Sequence, residues 1–207
     1  MSNNTVRLLC IVIGYFIGCI QSAYFVGKMM KVDLREHGSG NLGSTNALRV
    51  LGKKAGAITF ACDICKSILA FVICNIIFSK SQIQGVGIYA CYGVILGHDF
   101  PFYLHFKGGK GIASMIGMVF CLAFLFGPSV LFITFGIGII ALCTKYVSVG
   151  SIAFSIAIPV TVYILRFPID FFVVTIILGI LAVWRHKENI KRLFAGTENK
   201  LGTKSKT

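Results

Sequence analysis

The chain has 207 residues, enough for one domain or one compact membrane bundle. It is 56% hydrophobic and only 13% charged, with a mean hydropathy of +0.84; a soluble domain carries about a quarter charged residues, so a water-soluble protein is excluded. The net charge of +13 would suggest nucleic acid in a soluble protein, but here the cations sit in short loops and the tail, where membrane orientation and contact with anionic head groups account for them.

In chain order, apolar runs cover 8–27, 55–78, 85–97, 112–126, 129–143, 150–165 and 170–184. Several fall short of the ~20 residues of a standard span. The 85–97 run reads either as a short crossing helix or as a re-entrant piece. Gly127-Pro128 marks a tight turn, since proline disfavours helix continuation. The polar N-terminus lacks a small-residue cleavage site, so the first run reads as a retained span.

Charge arranges these runs. The loops 28–54, 98–111 and 144–149 and the tail from 185 hold sixteen of the twenty lysines and arginines. The opposite set holds Arg7, Lys80 and Arg166, and Lys66 lies within the second run. The positive-inside rule then predicts seven transmembrane helices, N-terminus outside and C-terminus cytoplasmic. With no internal repeat, the expected fold is an all-α polytopic membrane bundle, one domain over 1–207. Asp63 and Lys66, three apart at bilayer depth, read as a structural ion pair near the cytoplasmic end of their helix.

Eight cysteines lie in or beside apolar segments: Cys10, Cys19, Cys62, Cys65, Cys74, Cys91, Cys121 and Cys143. Cys62 and Cys65 form C-x-x-C, but within a helical pattern and without a second pair for zinc. All eight read as small packing residues, with no disulfide framework.

The polar residues concentrate in four stretches on the positive side. Gly38 to Asn46, GSGNLGSTN, has G-x-G-x-x-G spacing, but no strand precedes it and no βαβ unit can be built, so a dinucleotide fold is rejected. Its physics remains. Glycines admit a close anion and backbone N–H groups can point at it. Around Gly40, Ser39, Asn41, Ser44, Thr45 and Asn46 add small polar side chains, and Arg49 adds a planar cation suited to phosphate.

The second stretch contains Gly108, Gly109, Lys110 and Gly111 opening a helix, an anion site by its bare N–H groups and its lysine. It is no Walker loop, because Gly111 stands where serine or threonine should follow the lysine. The third, Lys145 to Ser151, supplies a cation and the hydroxyls of Ser148 and Ser151; Ser148 could equally be an N-cap. In the fourth, His186 and Asn189 are three apart and would share a helix face, with Glu198 beyond. Acidic residues are scattered, so no metal and no cofactor is expected.

These four ordered stretches resemble the bacterial acyl-phosphate-dependent glycerol-3-phosphate acyltransferases. The likeness rests on GSGNLGSTNALRVLGKKAG (38–56), GHDFPFYLHFKGGKGIA (97–113), KYVSVGS (145–151) and RHKENIKRLFAGTENKLG (185–202). Ser44 departs from the family's usual alanine and Ser114 from its usual threonine; both keep the site small and polar. The resemblance implies acyl transfer from a fatty acyl phosphate to the sn-1 hydroxyl of glycerol 3-phosphate, giving lysophosphatidic acid, the first committed intermediate of phospholipid synthesis. It also implies a seven-helix enzyme of the cell membrane with its active site toward the cytoplasm. The partners are the two substrates and membrane lipids, with no nucleic acid and no obligate protein. Carried onto this chain, Ser39 and Arg49 look essential and Gly108–Gly111 resembles the glycerol 3-phosphate phosphate site. His186 and Asn189 look important for activity, and Glu198 for holding the tail. The proton acceptor is either the donor's phosphate oxygen or His186.

A different acyltransferase chemistry uses His-x-x-x-x-Asp. Five residues beyond His37, His98, His105 and His186 stand Leu42, Tyr103, Lys110 and Lys191, so that signature is absent. An organic-phosphate transporter would use the same cationic loops, but with inverted repeats and interrupted helices.

Overall fold

The structure is a computed structural model describing residues 1–142 and 144–200. Every regular element among them is helical. The chain divides into two compact units, residues 1–121 and the described residues from 122 onward.

The first unit contains α1 (Asn3–Gly18), α2 (Ser22–Met29), α3 (Ser44–Leu51), α4 (Lys53–Ile77), α5 (Gly87–Asp99), a 3₁₀ turn (Phe102–Leu104) and most of α6 (Ile112–Phe126). α1 packs on α5 through glycines. Gly14 and Gly18 on α1 face the backbone of Ala90 and Val94, and Gly93 and Gly97 on α5 face that of Ile11 and Tyr15. A Cβ at any of the four would fall onto a carbonyl oxygen of the partner helix. This is the small-residue approach by which helices associate where no water drives them together. α5 is thereby buried at almost every position.

The first apolar run is one span in length but two helices in fact. It breaks at Cys19–Gln21, where Gln21 is extended and fully buried. Carbonyls released at such a break need donors inside a membrane. They have them: Lys66 Nζ donates to Gly18 O (3.3 Å) and Ile20 O (3.2 Å), and Tyr103 OH to Cys19 O (2.8 Å).

The second unit carries the end of α6, then α7 (Ser129–Leu142), α8 (Val147–Ile164), α9 (Ile169–Arg185) and α10 (Lys187–Phe194). Gly127, at φ +100°, separates α6 from α7, so the expected turn at Gly127-Pro128 is present. α7 and α8 share a buried hydroxyl pair, Thr134 Oγ1 to Thr161 Oγ1 at 2.9 Å. Pro159 is accommodated inside α8. Phe126 stacks on Phe167 with ring centres 4.0 Å apart.

Each of the seven apolar runs folds as helix. Three segments are long and apolar enough to cross a bilayer: Asn3–Met29, Lys53–Ile77 and Val147–Ile164. α9 with α10, bent by 53°, makes a fourth if counted as one span. α5, α6 and α7 are shorter. The chain is thus an all-helical, multi-pass membrane protein with three to four spans by length.

Of the seven described cysteines, Cys10, Cys19, Cys74, Cys91 and Cys121 are buried free thiols, whereas Cys62 and Cys65 are exposed on α4. Those two do not pack in the core as expected. Cys143 lies outside the described residues.

Candidate active site

The first polar stretch forms a turn entering α3. Gly38 (φ +63°) and Gly40 (φ +68°) take the left-handed conformation that favours glycine. The buried amide of Asn46 holds the turn closed. Its Oδ1 accepts from Ser39 N–H (2.9 Å), and its Nδ2 donates to Leu34 O and His37 O (both 3.1 Å). These three bonds turn both ends of the amide onto the loop, so Asn46 shapes the site. Ser39 and Gly40 are exposed, and Asn41 and Arg49 half-buried. Just upstream, Arg35 forks onto Asp33, with Nη2 at 2.6 Å from Oδ2. Those hydrogen bonds lower the Asp33 pKa to about 2.

The second stretch leaves α5 and reaches α6 through the 3₁₀ turn. Gly108 N–H donates to Asp99 O (3.1 Å) and Gly109 N–H to His98 O (3.0 Å). These two amides are therefore occupied, against the expectation that the whole glycine run presents bare N–H groups. The open donors belong to the first turn of α6, where a helix leaves its N–H groups without internal partners. Gly111 takes φ +72° immediately before that turn, and Lys110 is half-buried beside it. One small core joins this stretch to the first. Leu104 packs with Ala23, Leu34, Leu42 and Ala47. Both glycine-bearing loops thus rest on the same apolar foundation within the first unit.

In the second unit, Lys145 is exposed at φ +64° and precedes α8. Ser148 does not cap that helix: the N-cap is Tyr146, and Ser148 is buried in the first turn. Ser151 donates back to Val147 O at 2.9 Å. His186 and Asn189 do not lie within one helix. His186 sits at the α9–α10 bend, and Asn189 is inside α10. His186 Nδ1 lies 2.8 Å from Ala182 O. A carbonyl can only accept, so Nδ1 carries the proton, and in the neutral ring Nε2 holds the lone pair.

Glu198 is a clasp. It accepts from Asn189 Nδ2 (2.7 Å) and Arg192 Nε (2.7 Å). Burial pushes its pKa up, but these bonds outweigh burial and hold it below the ordinary range. Buried Ser148 adds to that lowering, although its hydroxyl completes no hydrogen bond of good geometry. A lowered folded-state pKa stabilises above the ordinary glutamate value of 4.5, and the contribution is lost as pH falls below it. Acidification through that window is expected to lower the amide protection factors, that is, exchange measured against the intrinsic rate at each pH, across Lys187–Phe194 and the 195–200 segment. Glu198→Gln should show the lower protection already at neutral pH and little further change in it on acidification.

A family profile described as glycerol-3-phosphate acyltransferase matches residues 8–196. The chain belongs to the glycerol-3-phosphate acyltransferase family. The protein of that name from Thermoanaerobacter pseudethanolicus is 43% identical, with 96% of this chain and 97% of the relative covered. A Thermotoga maritima protein, glycerol-3-phosphate acyltransferase 2, is 39% identical over 92% of this chain and 94% of its own. Among solved structures, the crystal structure of PlsY (YgiH), an integral membrane glycerol 3-phosphate acyltransferase in its glycerol 3-phosphate form, superposes with a TM-score of 0.83. It is 34% identical and covers 95% of this chain and 96% of its own. The lysophosphatidic acid form of the same enzyme gives 0.80.

Membership makes this chain an integral membrane acyltransferase of phospholipid biosynthesis, as its motifs led one to expect. The sequence alone pairs Asp63 with Lys66 near the cytoplasmic end of their helix. The pair is real, Lys66 Nζ to Asp63 Oδ1 at 2.8 Å, yet it sits mid-helix and His98 joins it. The only signal for that in the sequence was a histidine next to Asp99 at a loop entrance, which periodicity cannot link to a helix thirty residues earlier.

Proposed function

We propose that the enzyme transfers a fatty acyl group from acyl phosphate to the sn-1 hydroxyl of glycerol 3-phosphate. The products are lysophosphatidic acid and inorganic phosphate. The whole chain serves as one acyltransferase domain of seven crossings, with the N-terminus outside and the C-terminus and active site cytoplasmic. The supporting observation is the close likeness, over nearly all of this chain, to a solved enzyme held with glycerol 3-phosphate. The distribution of cations between alternate loops supports the orientation.

In this reading Lys110 and the opening turn of α6 bind the glycerol 3-phosphate phosphate, with Gly108, Gly109 and Gly111 giving it room. Ser39, Gly40, Asn41 and Arg49 act on the second phosphate and the reacting carbonyl, on a loop whose shape Asn46 holds. Lys145, Ser148 and Ser151 contribute a cation and hydroxyls. His186 and Asn189 act on the reacting groups, and Glu198 keeps the tail in place. The donor is a mixed anhydride with a good leaving group. The sn-1 oxygen forms the new ester bond, the acyl–phosphate C–O bond breaks and phosphate departs. The sn-1 hydroxyl proton goes to a phosphate oxygen of the donor or to His186. The protein's task is to hold two anions side by side, with cations and N–H dipoles offsetting their repulsion.

Purified enzyme in detergent, given a fatty acyl phosphate and glycerol 3-phosphate, should release lysophosphatidic acid and phosphate in equal amounts. Acyl-coenzyme A should not replace the donor. A phosphate transporter would release neither product. The one interrupted helix in the first unit gives that alternative no help, because its freed carbonyls are already taken by Lys66 and Tyr103.

A further inference from the structure

We propose that the buried cluster Asp63–Lys66–His98 is the positioning device of the Gly108–Gly111 loop. The inference rests on the reading of that loop as the glycerol 3-phosphate site.

Three helices converge on one ammonium group. Lys66 Nζ reaches Asp63 Oδ1 at 2.8 Å and His98 Nδ1 at 2.7 Å, besides the carbonyls of Gly18 and Ile20. Ser22 Oγ donates to the same Asp63 oxygen at 3.0 Å. Asp63 is fully buried, and Lys66 and His98 nearly so. A buried ion pair is a poor device for stability, since well-packed apolar residues would serve as well or better. Ionisable groups at membrane depth are retained for function or geometry. Here the geometry points to the loop.

An ammonium group only donates, so at 2.7 Å His98 Nδ1 is the acceptor and Nε2 carries the proton. That edge of the ring lies where a side chain on Gly109 would have to be: a Cβ there would fall onto Nε2. The His98 carbonyl takes Gly109 N–H and also accepts from Gln21 Nε2 at 2.9 Å. A Cβ at Gly108 would strike that same carbonyl oxygen. His98 therefore seats the loop twice, by its ring and by its backbone, and Lys66 fixes the ring. Displacing the ring moves Gly109, and with it Lys110 and the start of α6. None of the three side chains needs to touch substrate; they are positioning residues.

The experiment measures KM for glycerol 3-phosphate and for a fatty acyl phosphate separately. His98→Leu removes the acceptor at similar volume. His98→Asn keeps an oxygen at the place of Nδ1. The double variant D63N/K66M leaves no uncompensated charge. His98→Leu and the double variant should raise the glycerol 3-phosphate KM at least tenfold and leave the acyl phosphate KM within about twofold; His98→Leu should unfold thermally near the parent enzyme, and the double variant, which strips the donor from the Gly18 and Ile20 carbonyls, should unfold earlier but remain folded at the assay temperature. His98→Asn, which keeps the bond to Lys66 but lacks the ring edge against Gly109, should recover the KM in part, to a value between those of the parent and His98→Leu. Unchanged KM for glycerol 3-phosphate in folded variants overturns the proposal. So does an equal rise in both KM values, or a loss of folding that extends to His98→Asn. Lys110→Ala distinguishes the two levels. If it leaves the glycerol 3-phosphate KM unchanged, the reading of the loop itself fails; if it raises that KM while the cluster variants do not, only the positioning role fails.

Discussion

Gly93→Ala is expected to destabilise the enzyme by about 3 kcal/mol, the upper part of the range for forcing atoms into a packed core. The added methyl falls on the carbonyl oxygen of Ile11, close also to Tyr15 N. Backbone cannot step aside as a flexible side chain can. α1 and α5 must separate, and separation also lifts Gly14, Gly18 and Gly97 out of contact. In detergent the unfolding midpoint should fall by roughly 6–12 °C, taking the conversion for a domain of this size. Gly93→Leu should give no folded protein. Gly136→Ala is the internal control: it lies in α7 with nothing near its added Cβ. It should be neutral or slightly stabilising, because alanine is the better helix former by roughly 0.5–1 kcal/mol. A fall at Gly136 equal to that at Gly93 would remove the helix-contact explanation. Loss of activity should accompany loss of packing at Gly93, since α5 ends at His98 and Asp99, whose carbonyls hold the Gly108–Gly109 amides.

Much of this architecture is legible in the sequence, because membrane helices announce themselves by unbroken apolar length. Runs at 55–78 and 170–184 became α4 and α9 with ends displaced by a few residues. The polar loops could be picked out because glycine, small hydroxyls and cations have no reason to gather beside apolar helices except to meet something charged. What escaped was whatever depends on two distant segments meeting. The α1–α2 break reads as one apolar run, for Gln21 is a single polar residue whose tolerance depends on the carbonyl of His98 and on Lys66 from α4. Ser148 had the composition of an N-cap, yet the helix starts two residues too early for it to serve. Asn46 looked like a ligand for phosphate. Only the fold shows that its amide is turned inward on its own loop. The glycines at 14 and 18, and at 93 and 97, carried a four-residue spacing visible from the start. Their meaning lies in facing one another.

His186→Asn is expected to lower kcat by about 10² to 10⁴, the range for losing a general base, with the fold intact. The choice of asparagine follows from the ring geometry. His186 uses Nδ1 to donate to Ala182 O at the α9–α10 bend. An asparagine amide reaches about as far as Nδ1, so it can keep that bond and hold the bend. It has nothing at the place of Nε2, where the neutral ring carries its lone pair. Glutamine does the reverse: it can offer an oxygen near Nε2 but loses the bond to Ala182. A general base at Nε2 therefore predicts that asparagine removes turnover while sparing thermal stability and both KM values. His186→Gln should lose turnover as well, because an amide oxygen is far too weakly basic to take the proton, and should also loosen the bend. Turnover within about threefold of the parent in His186→Asn assigns the proton to the donor's own phosphate oxygen. His186 would then serve the bend alone, and stability would become the property most sensitive to its replacement by glutamine.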